Sequence, residues 1–445
     1  MSAAVAVVGA GPAGATAAAV LAASGVPVDL IDRWAFPRDK VCGDALTDDS
    51  WVQLGRLGAR AAATGARRLV GARVHVNGLL EPAMHEHDER VRMLPRRALD
   101  HGLVHHAVGA GARLVTAHVT GAMPLKHGVR LFCSDGANSL PSAYAAVVAA
   151  DGAGSRLARI TGLHPGYGEL SAYSMRLYVD RHEGWDVEMD LVPGPALGLT
   201  AGPGFGWILP LSDRTANEGV YVCGARNSRG VPRALTSMLE QLGSSVAPVR
   251  GLAGRARGGW VRYDYAPDRV RSGAILVAGD AAGLAGATSG EGISFALRSG
   301  EVAARTVIDH LAGSGELRDY EERLDAAVGD AVARERTWVG EGRSIADPTG
   351  AFLRSHEQEP RIVCLRSDQP SPRTALEDEL TMQLSDRHFD LKVVSDFAPE
   401  PGARAWLEDA RGVVRMVIHN AEIESVERLL DSLDELTTQS PTAEP

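Results

Sequence analysis

The first 32 residues limit this chain's fold more than any other stretch. Ala3 to Val8 form a short apolar run that reads as a buried parallel strand. The run passes straight into Gly9-Ala10-Gly11-Pro12-Ala13-Gly14, then into an Ala-rich helical stretch from Ala15 to Ser24 that Gly25 closes. Pro27 to Ile31 reads as the next strand and ends at Asp32. Gly9 permits a tight strand-to-helix turn, Gly11 lets the backbone approach a pyrophosphate, and Gly14 allows close helix–strand packing. Free N–H groups at the helix N-terminus are suited to hold phosphates. Asp32, 18 positions beyond Gly14, is spaced to accept hydrogen bonds from ribose hydroxyls. A glycine-rich turn alone is common. Strand, turn, helix, strand and terminal acid in that order point to a bound dinucleotide.

A chain of 445 residues exceeds one compact core and implies two or three domains. A net charge of −10, with no basic stripe, argues against nucleic-acid binding. Cys42, Cys133, Cys223 and Cys364 lie far apart with no CxxC. Neither disulfides nor a zinc site is therefore expected, and a reducing cytoplasm is the default setting. The apolar N-terminus has no basic flank and is broken by Gly9 to Gly14, which sets it apart from a signal peptide. No other stretch nears the roughly 20 apolar residues of a membrane span.

After Asp32 comes Arg33 to Asp44, a loop dense in special residues, followed by an expected helix from Asp48 to about Leu57. Val70 to Val76 alternates like a strand, and Arg96 opens a helix to about Gly109. His101 and His105 lie one helical turn apart, and His85 sits near His87; neither pair has a third ligand that would make it a metal site. Leu114 to Val119, Val129 to Cys133 and Tyr144 to Ala150 read as strands, the last stopping at Asp151-Gly152. Ser171 to Val179, Val187 to Val192, Gly206 to Leu211 and Gly219 to Cys223 follow without long helices, the signature of a separate antiparallel sheet. Ala274 to Gly279 is again a buried strand, ending at Asp280. Thr288 to Ser294 opens an expected helix to about Leu311, and a charged helix is expected from Asp319 to about Trp338. From Arg361 the tail reads strand, helix (Ala375 to Ser385), strand (Leu391 to Ser395), strand (Val413 to Ile418) and helix (Ile423 to Leu436). Thr437 to Pro445 has the composition of a disordered end.

Asp32, Asp151 and Asp280 thus stand at the ends of three apolar strands, where parallel sheets place their ligands. Here the sequence resembles the flavin-dependent family of the geranylgeranyl reductases and para-hydroxybenzoate hydroxylase. Gly9 to Gly14 matches its FAD pyrophosphate turn, with Asp32 in place of the usual Glu. Asp151-Gly152 with Ser155-Arg156 matches its DG motif, and Gly279-Asp280-Ala281-Ala282 its GD motif. The resemblance implies FAD, bound by Gly9, Gly11, Pro12, Ala13, Gly14, Asp32, Arg33, Asp151, Gly152, Gly279 and Asp280. It also assigns a cofactor contact to Arg97, the Arg before a helical acid.

Two further stretches are most similar to the geranylgeranyl reductase branch. Phe36 to Asp44 resembles its cysteine-containing loop beside the flavin, which makes Arg38, Lys40, Cys42 and Gly43 candidates. Ser289-Gly290-Glu291-Gly292-Ile293 resembles its GD-to-helix segment, so Gly290, Gly292 and Ile293 would face the flavin pyrimidine. Phe205-Gly206-Trp207-Ile208-Leu209-Pro210 resembles a Tyr-x-Trp-x-Phe-Pro box on the substrate side, with Phe205 for tyrosine and Leu209 for an aromatic. Cys42, Trp207 and Phe205 are accordingly the candidate catalytic residues. Cys42 also fits a small packed residue, Trp207 a cavity wall, and Arg38 and Lys40 contacts to FAD phosphate or to NAD(P)H, or solvent-facing charges. The box is similar to the Trp-x-Trp-x-Ile-Pro of flavin halogenases only at Trp207 and Pro210, and Arg67 to Gly78 carries no lysine.

The expected fold is α/β: a doubly wound FAD-binding domain, an antiparallel-sheet substrate domain and a small C-terminal α/β appendage. The first comprises 1–69, 97–165 and 265–345, the second 70–96 and 166–264, and the third 361–437, before a disordered tail at 438–445. The implied function is an FAD-dependent oxidoreductase of bacterial specialised metabolism. It would act on a small, largely apolar molecule, with NAD(P)H as transient electron donor. Reduction of a C=C bond stands first, monooxygenation second and halogenation behind both; a non-catalytic flavin-binding partner is the remaining alternative. No metal is expected, and a homo-oligomer contact is one use for the C-terminal unit.

Overall fold

The computed structural model describes residues 5–69, 71–76, 79–84, 91–134, 140–180, 188–193, 204–212, 214–224 and 256–340, with tail strands at 361–365, 391–394, 403–408 and 414–419. The chain divides into two compact units, Met1–Thr349 and Gly350–Pro445.

A six-stranded sheet carries the first unit, in the order Arg271–Ser272, Ile275–Val277, Ala146–Ala149, Val5–Val8, Val28–Asp32, Arg113–Thr116. All neighbours are parallel except Arg271–Ser272. Val5–Val8 is central and wholly buried, which is why it reads as an unbroken apolar run rather than an alternating one. The helix Pro12–Ala23 packs against Ile293–Leu311 and Arg96–Gly109. It starts three residues before Ala15, where the sequence put it, because a proline at the first helical position gives up no needed hydrogen bond. Gly9 has φ +97, and a Cβ on Gly14 would sit 1.8 Å from the Gly9 carbonyl oxygen. The turn closes only because both side chains are missing.

A seven-stranded sheet runs in the order Arg257–Arg262, Ser171–Asp180, Thr215–Cys223, Gly204–Pro210, Glu188–Pro193, Gly71–Val76, Leu79–Met84. It is antiparallel except where Glu188–Pro193 meets Gly71–Val76. Its buried side chains, Phe205, Trp207, Leu209 and Tyr221 among them, form a second apolar cluster beside the larger core of the parallel sheet.

Two expectations change. The single strand expected at Leu114 to Val119 is two: Arg113–Thr116 in the parallel sheet, and Val119–Leu125 paired with Gly128–Cys133 in a hairpin. The chain leaves the sheet edge between them. In the tail unit four strands pair in the order Leu391–Val394, Arg361–Leu365, Ala403–Glu408, Val414–His419. Ala403–Glu408 is an addition to the expected pattern. Its Ala, Arg, Leu and Glu favour helix, and pairing on both edges overrides that propensity. The helices expected at 375–385 and 423–436, and the His85–His87 pair, lie outside the described residues.

Candidate functional site

A cavity of about 610 Å³ collects the sequence candidates on one wall system. Gly9, Gly11, Pro12, Ala13, Asp32, Arg33, Arg38, Lys40, Cys42 and Gly43 line it, as do Asp151, Gly152, Phe205, Trp207, Gly279, Asp280, Gly290, Gly292 and Ile293. Gly14 does not, since its place is the turn packing described above.

Arg97 is a correction. It is exposed and off the cavity, whereas Arg96 is buried and lines it. Adjacent helical residues lie about 100° apart, so a pair of arginines at a helix start offers one to the site and one to solvent. Arg96 donates to Asp100 through Nε at 2.7 Å and Nη2 at 2.9 Å, and Arg38 Nη1 reaches the same carboxylate at 2.9 Å. This fully buried acid aims both guanidinium groups. A Cβ built on Gly11 would stand in ordinary contact, 3.9 Å from Nη2 of each arginine. Gly11 caps its helix with no side-chain hydrogen bond, so N–H groups of the first turn join the two cations. The cradle fits the pyrophosphate of FAD in charge and in room.

Asp32 accepts from the N–H groups of Ala10 and Trp34, both at 2.9 Å, and pairs with Arg38 at 3.4 Å. Lys40 Nζ bridges to Asp280 at 2.9 Å, tying the loop to the GD turn. Burial works to raise the Asp280 carboxyl, but Lys40, Arg96 and Arg262 outweigh it and hold it below the usual carboxylate range. Asp39 pairs with buried Arg176 at 2.6 Å. Arg38, Asp39 and Lys40 therefore fasten one loop to three different elements. Asp151 accepts from the Ser155 hydroxyl at 2.5 Å and the Arg156 N–H at 2.8 Å, and burial pushes its carboxyl up against those bonds.

Cys42 is a free, part-buried thiol at the cavity, and its carbonyl accepts from Asn217 Nδ2 at 2.8 Å. Asn217 Oδ1 in turn accepts from the Trp207 indole N–H at 2.9 Å. Beneath them Asp44, fully buried and at φ 64, accepts from Asn217, the Arg96 N–H and the Tyr178 hydroxyl at 2.9, 2.9 and 2.7 Å. Burial pushes the Asp44 carboxyl up while these donors oppose it. Glu291, also on the cavity, accepts from the N–H and hydroxyl of Ser294, both at 2.8 Å. Burial pushes its carboxyl up to about 7, with Glu335 and Asp49 adding to the shift and Ser294 resisting it.

Arg96, Asn217, Tyr221 and Glu291 were not singled out from sequence. Asn217-Glu218 inside the apolar run of Thr215–Cys223 was an available signal, since a polar pair in a buried strand needs partners. Among the described residues no group of three His, Cys, Asp or Glu could hold a metal ion. His101 and His105 pack ring edge to face at 4.5 Å. Among the same residues no helix is long and apolar enough to cross a membrane.

The sequence profile of a family described as "FAD binding domain" matches residues 2–335. A menaquinone reductase of Mycolicibacterium smegmatis is 30% identical over 352 residues, covering 74% of this chain and 81% of that protein. A digeranylgeranylglycerophospholipid reductase of Methanosphaera stadtmanae is 28% identical over 341 residues, covering 73% and 83%. The crystal structure of a geranylgeranyl bacteriochlorophyll reductase-like protein from Thermoplasma acidophilum shares the fold, with a TM-score of 0.61 at 20% identity over 84% of this chain and 98% of that one.

Proposed function

Because the chain belongs to this FAD-binding domain family, we propose that it is an FAD-dependent oxidoreductase that reduces a C=C bond in an apolar, isoprenoid-bearing metabolite. NAD(P)H is the proposed donor, docking transiently. The observation that carries the substrate class is the orientation of polar atoms in the wall around Trp207. The Trp207 N–H goes to Asn217, the Asn217 amide to Cys42 and Asp44, and the Tyr221 hydroxyl to backbone carbonyls. On this wall of the cavity the rings of Phe205, Trp207 and Tyr221 and the side chain of Leu209 are left, a surface for hydrocarbon, opposite the charged cofactor end. Two relatives are named as reductases of menaquinone and of digeranylgeranylglycerophospholipids, molecules that carry isoprenoid chains.

When bound, FAD supplies hydride chemistry at its N5. The chain supplies the rest. Arg38, Arg96 and the N-terminus of Pro12–Ala23 hold the pyrophosphate, and Phe205, Trp207 and Leu209 exclude water and orient the acceptor. The N-terminus of Ile293–Leu311 favours negative charge where it meets the cavity. We assign 1–69, 97–165 and 265–345 to cofactor binding, 70–96 and 166–264 to the substrate, and 361–437 to contact between copies.

Incubating the FAD-loaded protein with NADPH and a short-chain menaquinone or a geranylgeranyl glycerol ether tests the reading by product mass. The expected product, measured after air reoxidation of any quinol, gains two hydrogens in its isoprenoid chain. A product that gains oxygen would replace reduction with monooxygenation. Cys42→Ser is expected to lower turnover about tenfold with FAD content unchanged, since the side chain borders the reaction space while its backbone holds the loop. Unchanged kinetics in both Cys42→Ser and Cys42→Ala would reduce Cys42 to packing.

A further inference from the structure

Tyr221 touches two parts of the site at once. Its ring lines the cavity beside Phe205, with centroids 5.5 Å apart. Its hydroxyl donates to the carbonyls of Gly286 and Ala287 at 3.4 and 3.2 Å. The ring also lies against Gly290, where an added Cβ would meet it at 3.0 Å. Cys223, two residues along the same strand, donates its thiol to the Ala287 carbonyl at 3.3 Å. From the other side Glu335, on the helix Asp319–Gly340, accepts from the Thr288 N–H at 3.0 Å, the Thr288 hydroxyl at 2.8 Å and the Ser289 hydroxyl at 3.2 Å. Residues 286–289 are thus clamped, their carbonyls by the substrate sheet and their donors by Glu335. The same loop runs on through Gly290 and Glu291 to Gly292, which caps Ile293–Leu311 without a side-chain bond. The Glu291 carboxylate takes the Ser294 N–H of that first turn at 2.8 Å, which leaves the N–H groups of Gly292 and Ile293, both on the cavity wall, to meet a ligand.

We propose that Tyr221 is a positioning residue: from the substrate wall it fixes the loop 286–292, and through that loop sets how readily bound FAD accepts electrons. N–H dipoles stabilise a negative charge only when they are aimed at it beforehand. A loop freed of its clamp aims them less well, so the reduced cofactor loses stabilisation that the oxidised one never needed. Burial pushes the Tyr221 phenol well above its ordinary range, so it stays a hydrogen-bond donor throughout.

The test uses the full-length, FAD-loaded protein and two variants on opposite sides of the loop. Tyr221→Phe removes the hydroxyl and keeps the ring. Thr288→Ala removes one donor to Glu335 at a fully buried residue off the cavity wall. The readouts are the flavin midpoint potential, by equilibration with a reference dye, and amide hydrogen exchange over 286–292. Each variant is expected to hold FAD, to exchange faster over this loop, and to make two-electron reduction about tenfold less favourable, a shift of about 30 mV to more negative potential. Unchanged potentials in both fully loaded variants would overturn the proposal. So would failure of both to retain FAD, which would make the clamp a scaffold only. The proposal rests on FAD binding and not on the acceptor, so it survives or fails separately from the double-bond reading.

Discussion

Gly11→Val yields a colourless protein that folds. Gly11 has φ −76 and ψ −172, a conformation valine adopts without strain, so the substitution acts on the site and not on the turn. Its side chain enters the space between the helix N-terminus and the guanidinium groups of Arg38 and Arg96, where the pyrophosphate belongs. Overpacking of this kind costs about 1–3 kcal/mol, and lost phosphate contacts add to it, so FAD affinity is expected to fall at least about a hundredfold. Titration of flavin-stripped protein with FAD measures the loss directly, and far-ultraviolet circular dichroism checks the fold. A fully flavinated Gly11→Val protein would remove the pyrophosphate from this turn.

Arg262→Met carries the largest expected cost in stability. Arg262 is 2% exposed and Asp264 7%, and they form two parallel hydrogen bonds at 2.9 and 2.8 Å. Arg262 Nη1 also donates to the Ala281 carbonyl at 3.0 Å, fastening the end of Arg257–Arg262 to the turn that presents Asp280. Methionine would fill the volume and leave a buried carboxylate whose remaining ion-pair contact is Arg269 at 3.8 Å. Breaking a buried pair from one side costs about 3–5 kcal/mol. Urea unfolding of the flavin-free protein should register that loss, and the weakened Asp280 turn should release FAD faster. A loss under about 1 kcal/mol would mean the pair contributes little and the turn is held elsewhere.

The cofactor half of the site was legible in sequence because its signals are local. Gly9, Gly14 and the strand-ending acids follow from what one turn requires of its own residues. The polar network was not legible, because its pairs are set by tertiary register: Lys40 with Asp280, Asp39 with Arg176, Cys42 with Asn217. Arg96 and Arg97 are indistinguishable on paper, and the helix phase that separates them depends on where Pro95 starts the first turn. Glu335 lies on a helix rich in charges, none of which stands out in sequence, and its role emerges only when the loop at Thr288 is folded against it. Ala403–Glu408 is a strand by pairing and a helix by composition.

What the reduced cofactor does next decides between reduction and oxygenation, and oxygen uptake separates the two. Wild-type protein loaded with FAD is given NAD(P)H and an isoprenoid acceptor in air, and oxygen consumed is measured against NAD(P)H oxidised. The expected result is acceptor-dependent NAD(P)H oxidation with oxygen uptake far below one per turnover and an acceptor richer by two hydrogens. One oxygen consumed per NAD(P)H, with oxygen in the product, would contradict the account and make the enzyme a monooxygenase.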